Sequence, residues 1–228
     1  RKYPESLKGL CLEFGKFGQS DVSTFPLAIA ITDSVLPRSE KIRILKWRAL
    51  KGTITQRRPY LQHLAEISPR DCVPLIISEL RRLPKDVRGK YWKSEHANLA
   101  HVVIQINDQG VWELFHQRLK GCSVGLRLEL MNPLCYRNAR KENFAKRLWL
   151  LSEFLSDNEM RDTSKNVAKF EGPCAGFHFP KISVKNFAAM KLGSLLAVPG
   201  KPDEFWGEGE WADYRAEVGN AIKEQAFR

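Results

Sequence analysis

The stretch Ser183-Val-Lys-Asn-Phe-Ala-Ala-Met-Lys-Leu-Gly-Ser-Leu195 decides how this chain reads. Val184, Ala188, Ala189, Leu192 and Leu195 recur at intervals of three and four, which gathers them on one face of an α-helix and excludes a strand's alternation. The two alanines are small enough to let a neighbouring helix approach. Val184, Leu192 and Leu195 are large enough to fill the space between helix layers.

The same periodicity extends outward. Beyond it, residues 210–225 carry Trp211, Tyr214, Val218 and Ile222 on one face. Before it, 141–155 carry Phe144, Leu148, Leu151 and Leu155, widened by Ala145 and Trp149. Residues 95–106 offer Leu99, Val102, Val103 and Ile106, and 111–119 offer Val111, Trp112, Phe115 and Leu119 after the turn and cap Asn107-Asp108. Ser123 caps a helix to Met131, which Asn132-Pro133 stops. Nearer the start, helices are predicted over 3–17, 26–36, 39–50 (Ser39 as N-cap), 55–67 and 71–83, where Pro74 falls in the first turn. No segment alternates as a strand would. The expectation is an all-α protein of roughly ten short helices joined by short turns. Sequential antiparallel pairs of such helices suit a right-handed α-solenoid of helical hairpins, interrupted by a long irregular loop near 156–182.

Residues 183–195 also resemble the signature half of a HEAT repeat, as found in the armadillo-like solenoids. That pattern runs Val-Arg, two small residues, then Leu-Gly and a further Leu. Here the places hold Val184, Lys185, Ala188, Ala189, Leu192, Gly193 and Leu195. Lys185 replaces the usual Arg, and Lys191 stands where a small residue is common. Ser123-Val-Gly-Leu-Arg-Leu128 is a weaker echo, and 95–106 with 111–119 form a helix–turn–helix unit of the right size. The resemblance implies a single HEAT-like domain over 1–228, most repeat-like over 94–225. It also implies a scaffold that binds proteins or nucleic acids, and no particular chemistry. DNA glycosylases that remove alkylated purines include HEAT-like members of this size and charge. Their chemistry needs an Asp and converging aromatics, and no local motif places these here.

The 228 residues are 43% hydrophobic and 10% aromatic, a composition that excludes intrinsic disorder. No apolar run approaches the roughly 20 residues of a membrane span. Five cysteines without a C-x-x-C pair give no zinc-ribbon or thioredoxin-like signal. Cys11 and Cys72 read as small buried hydrophobes. A chain this long needs no disulfides, so a reducing, cytoplasmic setting is expected; secretion or periplasmic export after signal removal stays open. Arg1 in place of Met leads us to expect an upstream segment, and hence a piece of a longer chain.

The formal net charge of +11 favours an acidic partner: a protein, an anionic surface or nucleic acid. One basic run spans Arg38 to Arg58 against Glu40 alone. A second holds Arg81, Arg82, Lys85, Arg88, Lys90 and Lys93 against Asp86, and these six are the candidate contacts for nucleic acid or another acidic partner. Trp47 lies in the first run and Trp92, after Tyr91, in the second. Aromatics among cations can hold phosphate and stack bases, although burial between helix layers is the expectation for both. Trp112, Trp149 and Trp211 fall on apolar stripes and read as core.

No catalytic or metal-binding residue, and no cofactor, is assigned. Cys174 and His178 are close enough in sequence to form a thiolate–imidazole pair, but no orienting acid lies nearby; Phe170, Phe177 and Phe179 anchoring the loop is the simpler reading. His96 and His101 lack the H-E-x-x-H order, and their spacing turns them to different faces of a helix. No phosphate loop, dinucleotide turn or nucleophile elbow occurs. A binding module with a protein partner is therefore expected, with nucleic-acid binding as the alternative.

Overall fold

The computed structural model describes residues 24–86, 97–136, 139–162, 179, 181–203 and 205–226. Of these, 73% are helical, in ten α-helices with two short 3₁₀ turns, so the all-α expectation holds. The helices are α1 (Thr24–Asp33), α2 (Arg38–Ala49), α3 (Ile54–Ile67), α4 (Pro69–Arg82), α5 (Ala97–Val103), α6 (Gln109–Gly121), α7 (Val124–Met131), α8 (Phe144–Ser152), α9 (Val184–Leu196) and α10 (Glu208–Ala226). The expected helix over 3–17 lies outside the described residues. No helix among the described residues is long and apolar enough to cross a membrane. Backbone proximity divides the chain into two compact units, the first with the described residues 24–84 and 97–118, the second with 85–86 and those from 119 on.

The first unit contains α1 to α5 and most of α6. α3 is its centre, packed by α1, α2, α4 and α5. Its start is fixed by a reciprocal cap: Gln56 N donates to Thr53 Oγ1 at 3.4 Å and Thr53 N donates to Gln56 Oε1 at 3.0 Å. Gly52 just before it takes φ +80°, a conformation that glycine adopts freely. The core is formed by Ile31, Ile44, Leu45, Leu61, Leu64, Ile76, Leu80 and the expected stripes of α5 and α6, with Trp112 and Phe115 fully buried. Trp112 Nε1 donates to Ile106 O at 2.8 Å, and Asp108 caps α6 through Val111 N as its sequence suggested. Two details differ from expectation. α2 begins at Arg38 behind Pro37, so Ser39 is not its cap. α4 begins at Pro69, where the missing N–H costs nothing, and this places Pro74 beyond the first turn.

The second unit contains α7 to α10 and a pair of strands, β1 (Met160–Asp162) and β2 (Lys181–Ser183). The strands are antiparallel, with Met160 opposite Ser183 and Arg161 opposite Ile182. The ends of the stretch read as an irregular loop are therefore paired strands, each too short to reveal alternation in sequence. The remainder, 163–178, lies outside the described residues. α8 is rotated from its predicted phase: it buries Arg147, Leu150 and Leu151, with Phe154 beyond its end, while Phe144, Leu148 and Leu155 are half-buried. α9 follows its reading at Val184, Ala188, Ala189 and Leu192, all fully buried, whereas Leu195 is only half-buried. Gly193 lets α10 approach, because a Cβ there would lie 1.9 Å from Tyr214 Oη. Trp211, Tyr214 and Val218 of α10 are buried as expected, and Ile222 is half-buried.

Candidate functional site

Of the six candidate basic residues, three fall within the described structure. Arg81 and Arg82 form the last turn of α4, and both are exposed. Positive charge at a helix C-terminus is itself stabilising, so both also serve the helix. Arg82 lies 3.7 Å from Glu79 one turn back, the loose geometry of a weak surface pair. Lys85, beyond Pro84, is exposed, and its carbonyl accepts a 2.6 Å hydrogen bond from Ser123 N. Arg88, Lys90, Lys93, Tyr91 and Trp92 lie outside the described residues.

Several cations of the first basic run bond to neighbouring helices. Arg38 Nη2 donates to Ile67 O at 2.5 Å and Lys41 Nζ to Thr32 O at 2.5 Å, so each cation covers open carbonyls at a helix end, of α3 and α1 respectively. Lys46 pairs with Asp71 at 2.8 Å; that hydrogen bond and one from Ser68 hold the Asp71 carboxyl below its ordinary range. Arg57 grips Glu79 with both terminal nitrogens at 2.8 Å, and Arg58 Nη1 reaches Asn98 at 2.9 Å. A run that reads as an outward surface thus tethers α1 to α5 to one another.

The exception is Trp47. It was expected in the core but is 40% exposed on α2. Its ring is flanked by Arg48 Cζ, 5.0 Å from the centroid, and by Lys51 Nζ at 5.8 Å. Arg48 is buried and lies 5.8 Å from the Tyr60 ring as well, so the cation beside the indole is held by the fold. Leu50, 62% exposed, follows at the end of the helix. The signal was present in the sequence: Ile44, Leu45 and Ala49 define one arc of α2, and Trp47 falls off it. Chemically, the patch offers a large apolar face beside positive charge.

Among the described residues no three His, Cys, Asp or Glu side chains are grouped to hold a metal ion. Cys72 is fully buried, and burial pushes its thiol up to about 12, so it stays protonated and inert. Cys174, His178 and His96 lie outside the described residues. A groove of about 250 Å³ in the second unit is lined by Met160, Lys181, Ile182, Lys185, Trp206 and Trp211 among others. At its edge Glu208 accepts from Lys185 at 3.1 Å and Arg215 at 2.6 Å, and both hydrogen bonds hold its carboxyl below the ordinary range. The first backbone donors of α9 beside it are also taken, Val184 N by Glu159 O, Lys185 N by Asp157 O and Asn186 N by Ser183 Oγ.

Comparison with protein-family models, curated proteins and solved structures finds no match to this chain.

Proposed function

We propose that the chain is a non-catalytic binding module of HEAT-like helical hairpins, and that its partner is a protein presenting an apolar segment with acidic neighbours. The observation that carries this reading is the exposed Trp47, with Arg48 and Lys51 against its ring and Leu50 beside it. An exposed tryptophan costs free energy in water, and Trp and Arg anchors dominate the energetics of protein interfaces. The indole here is already restrained by its neighbours, so little side-chain entropy remains to be lost on binding. Arg48 and Lys51 give the patch its preference for acidic partners. Affinity crosslinking with the whole chain tests the reading, comparing wild type with Trp47→Ala and Leu50→Ser. The expected result is a crosslinked protein that survives nuclease treatment and is lost in both variants. Unchanged capture by the variants would remove Trp47 from the interface.

Nucleic-acid binding is the second reading, and the exposure of Arg81 and Lys85 favours it. It requires affinity that falls steeply with salt, by about 0.9 in log–log slope for each phosphate contact on duplex DNA. Reversal of Arg81 and Lys85 to Glu should then lower affinity and slope together, for every sequence alike. Fluorescence anisotropy with a labelled duplex at low salt measures both. Capture abolished by nuclease, with a slope that falls on reversal, would select this reading over the protein partner.

A further inference from the structure

Two exposed apolar features of this chain are flanked by opposite charge. In the first unit, Trp47 and Leu50 face water at the end of α2, with the Lys51 ammonium 5.8 Å from the indole centroid. Lys51 is itself exposed and has no ion pair among the described residues. In the second unit, Phe205 is 87% exposed, more than any other large hydrophobic side chain among the described residues. A closed turn displays it: Phe205 N donates to Asp203 Oδ1 at 2.9 Å, and Trp206 N to Asp203 O at 3.3 Å. Trp206 packs edge-on against Trp211 and Tyr214, with ring centroids 5.4 and 5.6 Å apart, and so anchors the turn to α10. The turn thus packs one aromatic of the Phe205-Trp206 pair on the fold and leaves the other in water.

α10 continues from this turn. Trp211, Tyr214 and Val218 face inward, while Glu210, Asp213 and Glu217, at i, i+3 and i+7, share another face and are all exposed. None of the three carboxylates has an ion pair among the described residues, whereas Glu208 is already bonded to Lys185 and Arg215. In a chain of formal net charge +11, this unpaired acidic face is a local exception. Its counterpart, an exposed indole beside an unpaired lysine, lies on the same chain. Each copy therefore carries both halves of one interface.

We propose that the Trp47 patch of one copy binds the Phe205 turn and the acidic face of α10 of a second copy, head to tail. This rests on the reading of Trp47 as an interface residue and names its partner as the chain itself. The contact takes Phe205, Trp47 and Leu50 out of water together. Lys51 meets the carboxylates of α10, which sets the orientation and disfavours patch-on-patch pairing, where cations would face each other. Because the two surfaces differ, the contact is heterologous. Every joined pair keeps one open patch and one open α10, so assembly continues beyond the dimer. A contact between a turn with one helix face and a helix end belongs to the small interfaces, below about 1,200 Å², so association is reversible and depends on concentration.

Analytical ultracentrifugation of the whole purified chain, at rising concentration and in low and high salt, tests this. The weight-average mass of wild type should rise above the 26.2 kDa of one copy and fall back as salt is added. Two double variants each remove one half: Leu50→Ser with Lys51→Glu at the patch, and Phe205→Ser with Asp213→Lys at α10. Each alone should stay monomeric, with helix content unchanged by circular dichroism. Mixed, they should form a dimer of one copy of each and nothing larger, because one intact patch then meets one intact α10. Val35→Ser, at another exposed apolar residue, should associate as wild type does. If a double variant does not fold, the single changes Lys51→Glu and Asp213→Lys give the same comparison. A wild type that stays monomeric at every concentration, self-association that survives either variant, or a mixture that forms no dimer overturns the inference. Capture of a different protein through Trp47 would then leave the reading of that residue standing, so the two failures are told apart.

Discussion

Replacing Arg127 with leucine removes the most heavily used cation of the second unit. Arg127 lies in α7, 4% exposed. Its Nε donates to Leu119 O at 3.0 Å, and its Nη2 to Cys122 O at 2.9 Å and Lys120 O at 3.3 Å. Leu119 and Lys120 belong to the last turn of α6, whose carbonyls have no partner within the helix. Nη1 donates to Asp157 Oδ2 at 2.6 Å, thirty residues away. Leucine would take this donor from the carbonyls of Lys120 and Cys122, leave Leu119 O with Cys122 N alone, and strip Asp157 and Glu159 of their cation. Breaking a buried pair by removing one partner costs about 3–5 kcal/mol. Asp157 keeps 18% of its side chain in water and can recover some hydration, which favours the lower part of that range, about 3–4 kcal/mol. At about 2–4 °C per kcal/mol for a chain of this size, Tm should fall by about 6–16 °C. Calorimetry on wild type, Arg127→Leu, Asp157→Asn and the double variant measures this. The double variant should lose less than the sum of the single losses, because the two partners share one interaction. A loss under about 1 kcal/mol for Arg127→Leu would refute the assignment of Arg127 as the connector between α6 and β1's approach.

Ala188→Leu should overpack the fully buried face of α9 and cost about 1–3 kcal/mol, read as a lower midpoint in chemical denaturation. Gly193→Ala should cost a similar amount, about 1–3 kcal/mol, because the new methyl meets Tyr214, which is itself packed against Trp206 and Trp211; Gly193→Ala combined with Tyr214→Phe should recover part of the loss. Ala197 ends α9 at φ +56°, so Ala197→Gly should raise stability by up to about 1 kcal/mol, and a loss would mean that the left-handed turn is not kept in solution. The Asp71 carboxyl is held low by Lys46 and Ser68, so its contribution is complete above the ordinary Asp pKa and disappears as pH falls through the lowered value in the folded chain. Asp71→Asn should therefore melt lower than wild type at neutral pH, with the two curves converging as the pH falls through the lowered carboxyl value.

Which features were legible in the sequence follows from where each residue's partner lies. α5, α6 and α9 were readable because their apolar side chains repeat within the helix itself: Leu99, Val102 and Val103, or Val184, Ala188 and Leu192, need no information from elsewhere. α8 was read out of phase because Arg147 occupies its buried face, and a charged residue is assigned outward unless its acceptors are known. Those acceptors, Leu134 O and Tyr136 O, are backbone atoms that no side-chain pattern reveals. β1 and β2 escaped notice because three residues cannot display alternation, and their pairing joins positions 160 and 183. The basic run from Arg38 to Arg58 failed for the same reason as Arg147. Lys46 and Arg57 of that run pair with Asp71 and Glu79, and Arg38 and Lys41 donate to the carbonyls of Ile67 and Thr32, groups 9 to 29 residues away. Charge density along the chain therefore overstates what this protein offers to a partner.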